Sequence, residues 1–155
     1  MTGLIWPVLA ALLAGMLQST ALPVIQEPPQ TPAQVMLGEL TTEEKVGQLF
    51  LARMPAVQAA EKAAACHLGG YLLFGQDFRY RTPDQLRALL EEIDQAAGRP
   101  LLYAVDEEGG TVVRASLYPA FREEKFQSPQ RVYAAGGLEG LRADAEEKGR
   151  FLQDL

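Results

Sequence analysis

At 155 residues, 48% hydrophobic and 22% charged, the chain has an ordinary globular composition with room for one modest domain. A formal net charge of −6 excludes the broad basic surface that nucleic-acid binding requires. One cysteine, Cys66, excludes an intramolecular disulfide, and one histidine, His67, without a second ligand at suitable spacing leaves no metal site and no cofactor to expect.

Residues 1–21 carry no charged side chain, and Leu4 to Leu17 is apolar apart from Pro7 and Gly15. Small residues follow at Ser19-Thr20-Ala21, so the segment reads as a secretory signal peptide, which places the protein outside the cell or in its envelope. An uncleaved N-terminal anchor is the alternative, and the only expected contact with a membrane. Residues 22–35 hold four prolines and read as an extended linker, with the folded region, 36–155, starting near Met36.

Thr41 and Glu44 form a capping-box pattern that predicts a helix from Thr42 to about Gln48. Leu49 to Leu51 reads as a first strand, and alanine-rich Val57 to Cys66 as a helix closed by Gly69-Gly70. Within that stretch Cys66 is expected as a small buried apolar residue and His67 as structural or surface. Tyr71 to Phe74 reads as a strand buried on both faces, with a loop over Gly75-Gln76-Asp77. Thr82, Pro83 and Gln85 supply N-cap, N1 and box residue for the clearest helix, whose apolar face is Leu86, Leu89, Leu90, Ile93 and Ala97 before Gly98 ends it. Leu101 to Val105 is a third strand. A last helix is expected from about Leu138, with Leu141 and Leu152 as its apolar contacts. This alternation specifies an α/β protein with a parallel sheet.

The third strand ends abruptly at Asp106 and runs on through Glu107, Glu108, Gly109 and Gly110 to Arg114. An acid ejected at the C-terminal end of a buried strand is how α/β proteins build polar sites, and glycines let a ligand approach the backbone. Asp106 and Arg114 are the candidate ligand-binding residues. A plain strand–loop junction whose acids face water is the other reading of the same pattern.

With these residues in hand, the chain resembles the N-terminal domain of glycoside hydrolase family 3, on its β-N-acetylhexosaminidase branch. The likeness rests on LTTEEKVGQLFLAR (Leu40 to Arg53), GGYLLFGQDF (Gly69 to Phe78), TPDQLRALLEEI (Thr82 to Ile93) and, most specifically, the D-x-E-G-G stretch with its trailing Arg in PLLYAVDEEGGTVVR (Pro100 to Arg114). The resemblance implies a (β/α)8 barrel, of which this chain supplies the first three strand–helix units, since a whole barrel takes roughly 250 residues. It implies an amino-sugar glycan as substrate, bound through Asp106 and Arg114, with Glu108, Gly109 and Gly110 shaping the loop. Thr111 departs from the pattern, because many members carry a further Arg there.

The resemblance also implies groups that have no counterpart here. The family is retaining, with an Asp nucleophile from a late strand, and this branch uses a loop His as general acid/base and a Lys-His pair in mid-barrel. Retaining hydrolysis needs its two reacting groups on opposite sides of the scissile bond, roughly 5 Å apart for a carboxyl pair. His67 precedes the second strand, in a different context, so no catalytic residue is assigned in this chain. The expectation is the front part of a secreted β-N-acetylhexosaminidase, inactive by itself. A non-catalytic sugar-binding remnant is the alternative.

Overall fold

The computed structural model describes residues 30–155; the expected leader (1–21) and the first part of the linker (22–29) lie outside the described residues. The chain divides into two units, and the sheet with its helices belongs to the second, Met36–Leu155.

Where an extended linker is expected, helix α1 (Pro32–Glu39) begins. Its start, Thr31-Pro32-Ala33-Gln34, is a capping signal that the proline count obscures. Thr31 N–H donates to Gln34 Oε1 at 2.7 Å and Gln34 N–H donates to Thr31 Oγ1 at 3.3 Å. Helix α2 (Thr42–Gly47) opens on the predicted box, with Thr41 N–H donating to Glu44 Oε2 at 2.8 Å.

Strand β1 is Leu51–Arg53, two residues later than the Leu49–Leu51 reading. The amides of Leu49 and Phe50 are taken by the carbonyls of Val46 and Gly47 at the end of α2, so no strand can begin there. Helix α3 (Ala59–Ala65) follows and is shorter than expected. Its left-handed closing residue is His67 (φ 50°) rather than a glycine, and Gly70 opens β2 (Gly70–Leu73) instead. Cys66 is exposed, contrary to the buried reading; it is the C-cap of α3, beyond the last residue of the helix. The expected loop after β2 contains a single helical turn, α4 (Gly75–Phe78), held by Phe74 N–H donating to Asp77 Oδ2 at 2.7 Å.

Helix α5 (Pro83–Ala97) matches its sequence signals closely. Thr82 and Gln85 form the box, and Gly98 caps the end at φ 70°. Leu86 and Ile93 are fully buried, with Leu89, Leu90 and Ala97 packed around them. Strand β3 is Leu102–Val105.

The three strands pair in parallel in the order β1-β2-β3, with Leu51, Gly70 and Leu102 in register and Ala52, Tyr71 and Tyr103 in the next row. Alternation sends Tyr71, Leu73, Tyr103 and Val105 toward one face. There they meet α3 and α5: the Tyr71 hydroxyl donates to Ala59 O at 2.8 Å, and the Tyr103 hydroxyl donates to Asp94 Oδ1 at 2.7 Å. Burial and the Asp94 carboxylate both push the Tyr103 hydroxyl well above its ordinary pKa. The other face is open. Leu51 and Leu102 are 48% and 75% exposed there, and Leu72 is half-buried. Strand β2 has Tyr71 and Leu73 buried on the helix side, Gly70 buried and Leu72 half-buried on the other, so the both-faces reading holds in part. A parallel α/β sheet is present, three strands wide among the described residues.

The final helix, α6 (Pro129–Gln153), starts nine residues earlier than expected, capped by Ser128, whose Oγ accepts from Arg131 N at 3.4 Å. It breaks at Gly137 (φ 60°, ψ −148°), which is why periodicity is legible only beyond that point. Phe151 makes its core contact, joined by Leu155 just past its end; Leu152 is 36% exposed, and Leu141 is half-buried outside the core cluster. The successive carbonyl-to-amide turns of α6 carry Phe151 to the Phe126 ring, edge-on at 5.4 Å.

Candidate functional site

Parallel strands deliver their C-terminal ends to one edge of the sheet, and here all three bring a side chain of the same parity. Arg53 ends β1, Phe74 follows β2, and Asp106 follows β3. The register Arg53–Leu72–Ala104 puts them on the open face. The Arg53 guanidinium lies 4.8 Å from the centre of the Phe74 ring. Arg114 reaches the same ring from the following loop at 5.8 Å, and its Nη2 stands 3.8 Å from Asp106 Oδ2. Asp106 and Arg114, the two residues singled out from sequence, are thus brought together, with the Asp106 side chain half exposed. Arg53 and Phe74 escaped the sequence reading. The signal for Arg53 was available: a lone cation closing an apolar run in LFLAR, as Asp106 closes the third strand.

The loop that returns Arg114 to Asp106 is organised by Glu107. This side chain is only 7% exposed. Its Oε2 accepts the backbone N–H of Arg114 at 2.9 Å and of Ala115 at 2.8 Å, and its Oε1 accepts the Ser116 hydroxyl. Ser116 Oγ in turn accepts Phe126 N–H at 3.3 Å. A carboxylate saturated by internal donors satisfies a stretch of backbone that no strand or helix serves.

Glu108, expected to shape the loop, has an exposed side chain with no hydrogen bond among the described residues; only its carbonyl is engaged, by Lys148 Nζ at 2.9 Å. Gly109 has φ 100°, and a Cβ there would lie 2.0 Å from Gln127 O. Gly110 has φ 69°, donates its N–H to Phe126 O at 2.9 Å, and a Cβ there would lie 2.8 Å from Ser128 Cβ. The tight backbone crossing of 109–110 over 126–128 needs both glycines. Thr111 is exposed.

Behind Phe74 sits a second carboxylate. Asp77 is 4% exposed, and burial raises its pKa against the lowering pull of the Phe74 N–H, Arg81 and Arg53. His67 lies at the opposite end of the sheet, ahead of the first residue of β2. No group of three metal-ligating side chains stands together among the described residues.

The arrangement has a definite chemistry. An exposed carboxylate can accept bonds from two neighbouring hydroxyls, a guanidinium offers fixed donors to oxygens, and an aromatic ring offers an apolar face.

Comparison with known proteins gives a consistent answer. A beta-hexosaminidase of Vibrio cholerae serotype O1 is 42% identical over 85 residues, covering 55% of this chain and 23% of that protein. One from Tolumonas auensis is 53% identical over 47 residues, 30% of this chain and 14% of that protein. One from Bordetella avium is 48% identical over 59 residues, 38% and 15% respectively. The matched part of the chain spans less than a quarter of the length of these curated relatives. No protein-family model and no solved structure matches the chain. Over the matched residues the chain is similar to these beta-hexosaminidases, in keeping with the resemblance of its D-x-E-G-G segment to glycoside hydrolase family 3.

Proposed function

We propose that this chain is the front part of a secreted β-N-acetylhexosaminidase, holding one side of the pocket that grips a terminal N-acetylglucosamine for retaining hydrolysis. The observation that carries the reading is the Asp106–Arg114 pair, 3.8 Å apart, at the C-terminal edge of a parallel sheet. The consecutive order β1-β2-β3, with α3 and α5 on one face and an uncovered second face, fits the first three units of a (β/α)8 barrel whose remaining strands would close over Leu51, Leu72 and Leu102. Asp106 would take the sugar hydroxyls and Arg114 would hold both the carboxylate and a ring oxygen substituent. Neither acid of the loop suits the nucleophile's part: Asp106 is paired with Arg114, and Glu107 is filled by three donors.

The test is hydrolysis of an aryl β-N-acetylglucosaminide. The 155-residue chain alone should show none. A chimera that continues residue 155 into the remainder of the Vibrio cholerae relative should show turnover, reduced by at least about a hundredfold in Asp106→Ala. Turnover by the chain alone, or a fully active Asp106→Ala chimera, would overturn the proposal.

A further inference from the structure

One face of α6 is turned to the loop that carries Asp106 and Arg114. Asp144, Glu147, Lys148 and Phe151 recur at three- and four-residue spacing, so they stand on one side of the helix. Glu147 Oε1 pairs with Arg122 Nη2 at 2.7 Å, and Phe151 meets the buried Phe126 ring edge-on. The Arg122 guanidinium lies 4.2 Å from the centre of that ring, and Lys148 Nζ lies 5.3 Å from it. Lys148 reaches further than its neighbours. Its ammonium donates to Asp144 Oδ2 at 2.6 Å and to Glu108 O at 2.9 Å. Among the described residues it is the one side chain that hydrogen-bonds the backbone between Asp106 and Glu108.

The Lys148 and Asp144 side chains are only 14% and 15% exposed. An ammonium so far from water needs partners, and a charge-assisted bond in that setting is stronger and less screened than one at the surface. Lys125 provides the contrast: its Nζ donates to Gly110 O at 3.0 Å, but the residue is exposed. The two ends of the loop are thus fixed from different places. Glu107 grips the Arg114 end through the Arg114 and Ala115 amides, and Lys148 grips the Asp106 end two residues beyond the carboxylate. Every group in this arrangement belongs to the segment after β3 or to α6, so it does not depend on what covers the open face of the sheet.

We infer that Lys148 is a positioning residue for the amino sugar: acting through the Glu108 carbonyl, it sets where Asp106 stands relative to Arg114, and so how tightly the pair holds the sugar hydroxyls. The inference rests on the sugar-binding reading of that pair. A carboxylate displaced by about 1 Å forfeits most of what correct orientation provides, so a residue outside the pocket can govern binding inside it.

The experiment is an NMR titration of the 155-residue chain and its variants with N-acetylglucosamine, the amides of Asp106 and Arg114 serving as reporters. Unfolded molecules give separate peaks, so the midpoint reports the folded chain, and a loss of stability alone leaves it unchanged. Lys148→Met should weaken binding about tenfold. Lys148→Arg still offers donors to Glu108 O and Asp144 and should recover most of the affinity. Lys125→Met, at an exposed hold on the same loop, should stay within about twofold of the parent. The double variant Lys148→Met/Asp144→Leu leaves no buried charge unpaired, and it should show the same loss of about tenfold even where the single variant does not fold. Parent affinity in the folded Lys148→Met chain or in the double variant overturns the inference and leaves the reading of Asp106 and Arg114 standing. A Lys148→Arg chain no better than Lys148→Met, or an equal loss in Lys125→Met, also overturns it, since the effect would then not come from the hold on the Glu108 carbonyl. Binding of no sugar by the parent chain overturns the reading of the pair and the inference with it.

Discussion

Replacing Glu107 offers the sharpest test of how the site is built, because the adjacent Glu108 supplies an internal control. Glu107 is 7% exposed and accepts two backbone N–H groups at 2.9 and 2.8 Å together with the Ser116 hydroxyl. Alanine leaves two buried donors and one part-buried donor without their acceptor, at about 1–3 kcal/mol each. Water entering the vacated space recovers part of that, so Glu107→Ala should cost about 3–5 kcal/mol, a large share of the 5–15 kcal/mol that holds a typical domain together. Glu107→Gln keeps one oxygen for the two amides but loses the charge and presents an NH2 group to Ser116, and should cost about 1–2 kcal/mol. Glu108→Ala removes an exposed side chain without partners and should stay within about 0.5 kcal/mol. Urea unfolding followed by circular dichroism gives the order directly, and hydrogen exchange at the Ala115 amide reports whether the loss is confined to the loop. Equal effects at positions 107 and 108, or a Glu107→Ala variant as stable as the parent, would refute the buried clamp.

Two further outcomes follow from the same geometry. Gly109→Ala should destabilise by about 2–4 kcal/mol, since its Cβ would meet Gln127 O at 2.0 Å on a backbone already at positive φ, whereas Gly149→Ala, in open space on α6, should stabilise by about 0.5–1 kcal/mol; paired thermal melts check the contrast. Asp77 has a folded-state pKa raised by burial, so it contributes stability that is present below its unfolded pKa and lost as pH rises through the folded value. Asp77→Asn, which keeps an oxygen for Phe74 N–H, should flatten the stability profile over the mildly acidic range above the ordinary aspartate pKa, and a pH series of urea midpoints that stays parallel to the parent would contradict this.

Local signals carried much of the fold. Thr82-Pro83-Asp84-Gln85 and Thr41-Thr42-Glu43-Glu44 name their helix starts because a cap and a box are complete within four residues. The 3.6-residue spacing of Leu86, Leu89, Leu90, Ile93 and Ala97 names the buried face of α5 without reference to anything else. The same kind of reasoning placed Asp106 at the end of β3, because an apolar run that stops at an acid marks a strand's exit into solvent. It misplaced β1 by two residues because α2's terminal carbonyls compete for the amides of Leu49 and Phe50, a contest that apolar content does not reveal. It missed the Thr31 helix start because four prolines outweighed one capping signal.

What the chain alone determined, then, was the three strands and the helices between them, their α/β alternation, and the identity of Asp106 and Arg114 as a pair worth watching, since each depends on contacts only a few residues apart in sequence. Only the tertiary structure decided which carboxylate is buried and which is free. Glu107 and Glu108 are the same residue type on adjacent positions, and nothing local separates them. The difference arises because the chain folds back through Ser116 and Phe126, bringing donors from seven to nine residues away onto Glu107 and leaving Glu108 to water. The same long-range closure set Arg53 beside Phe74, because parallel register aligns strand ends that lie more than twenty residues apart in the chain.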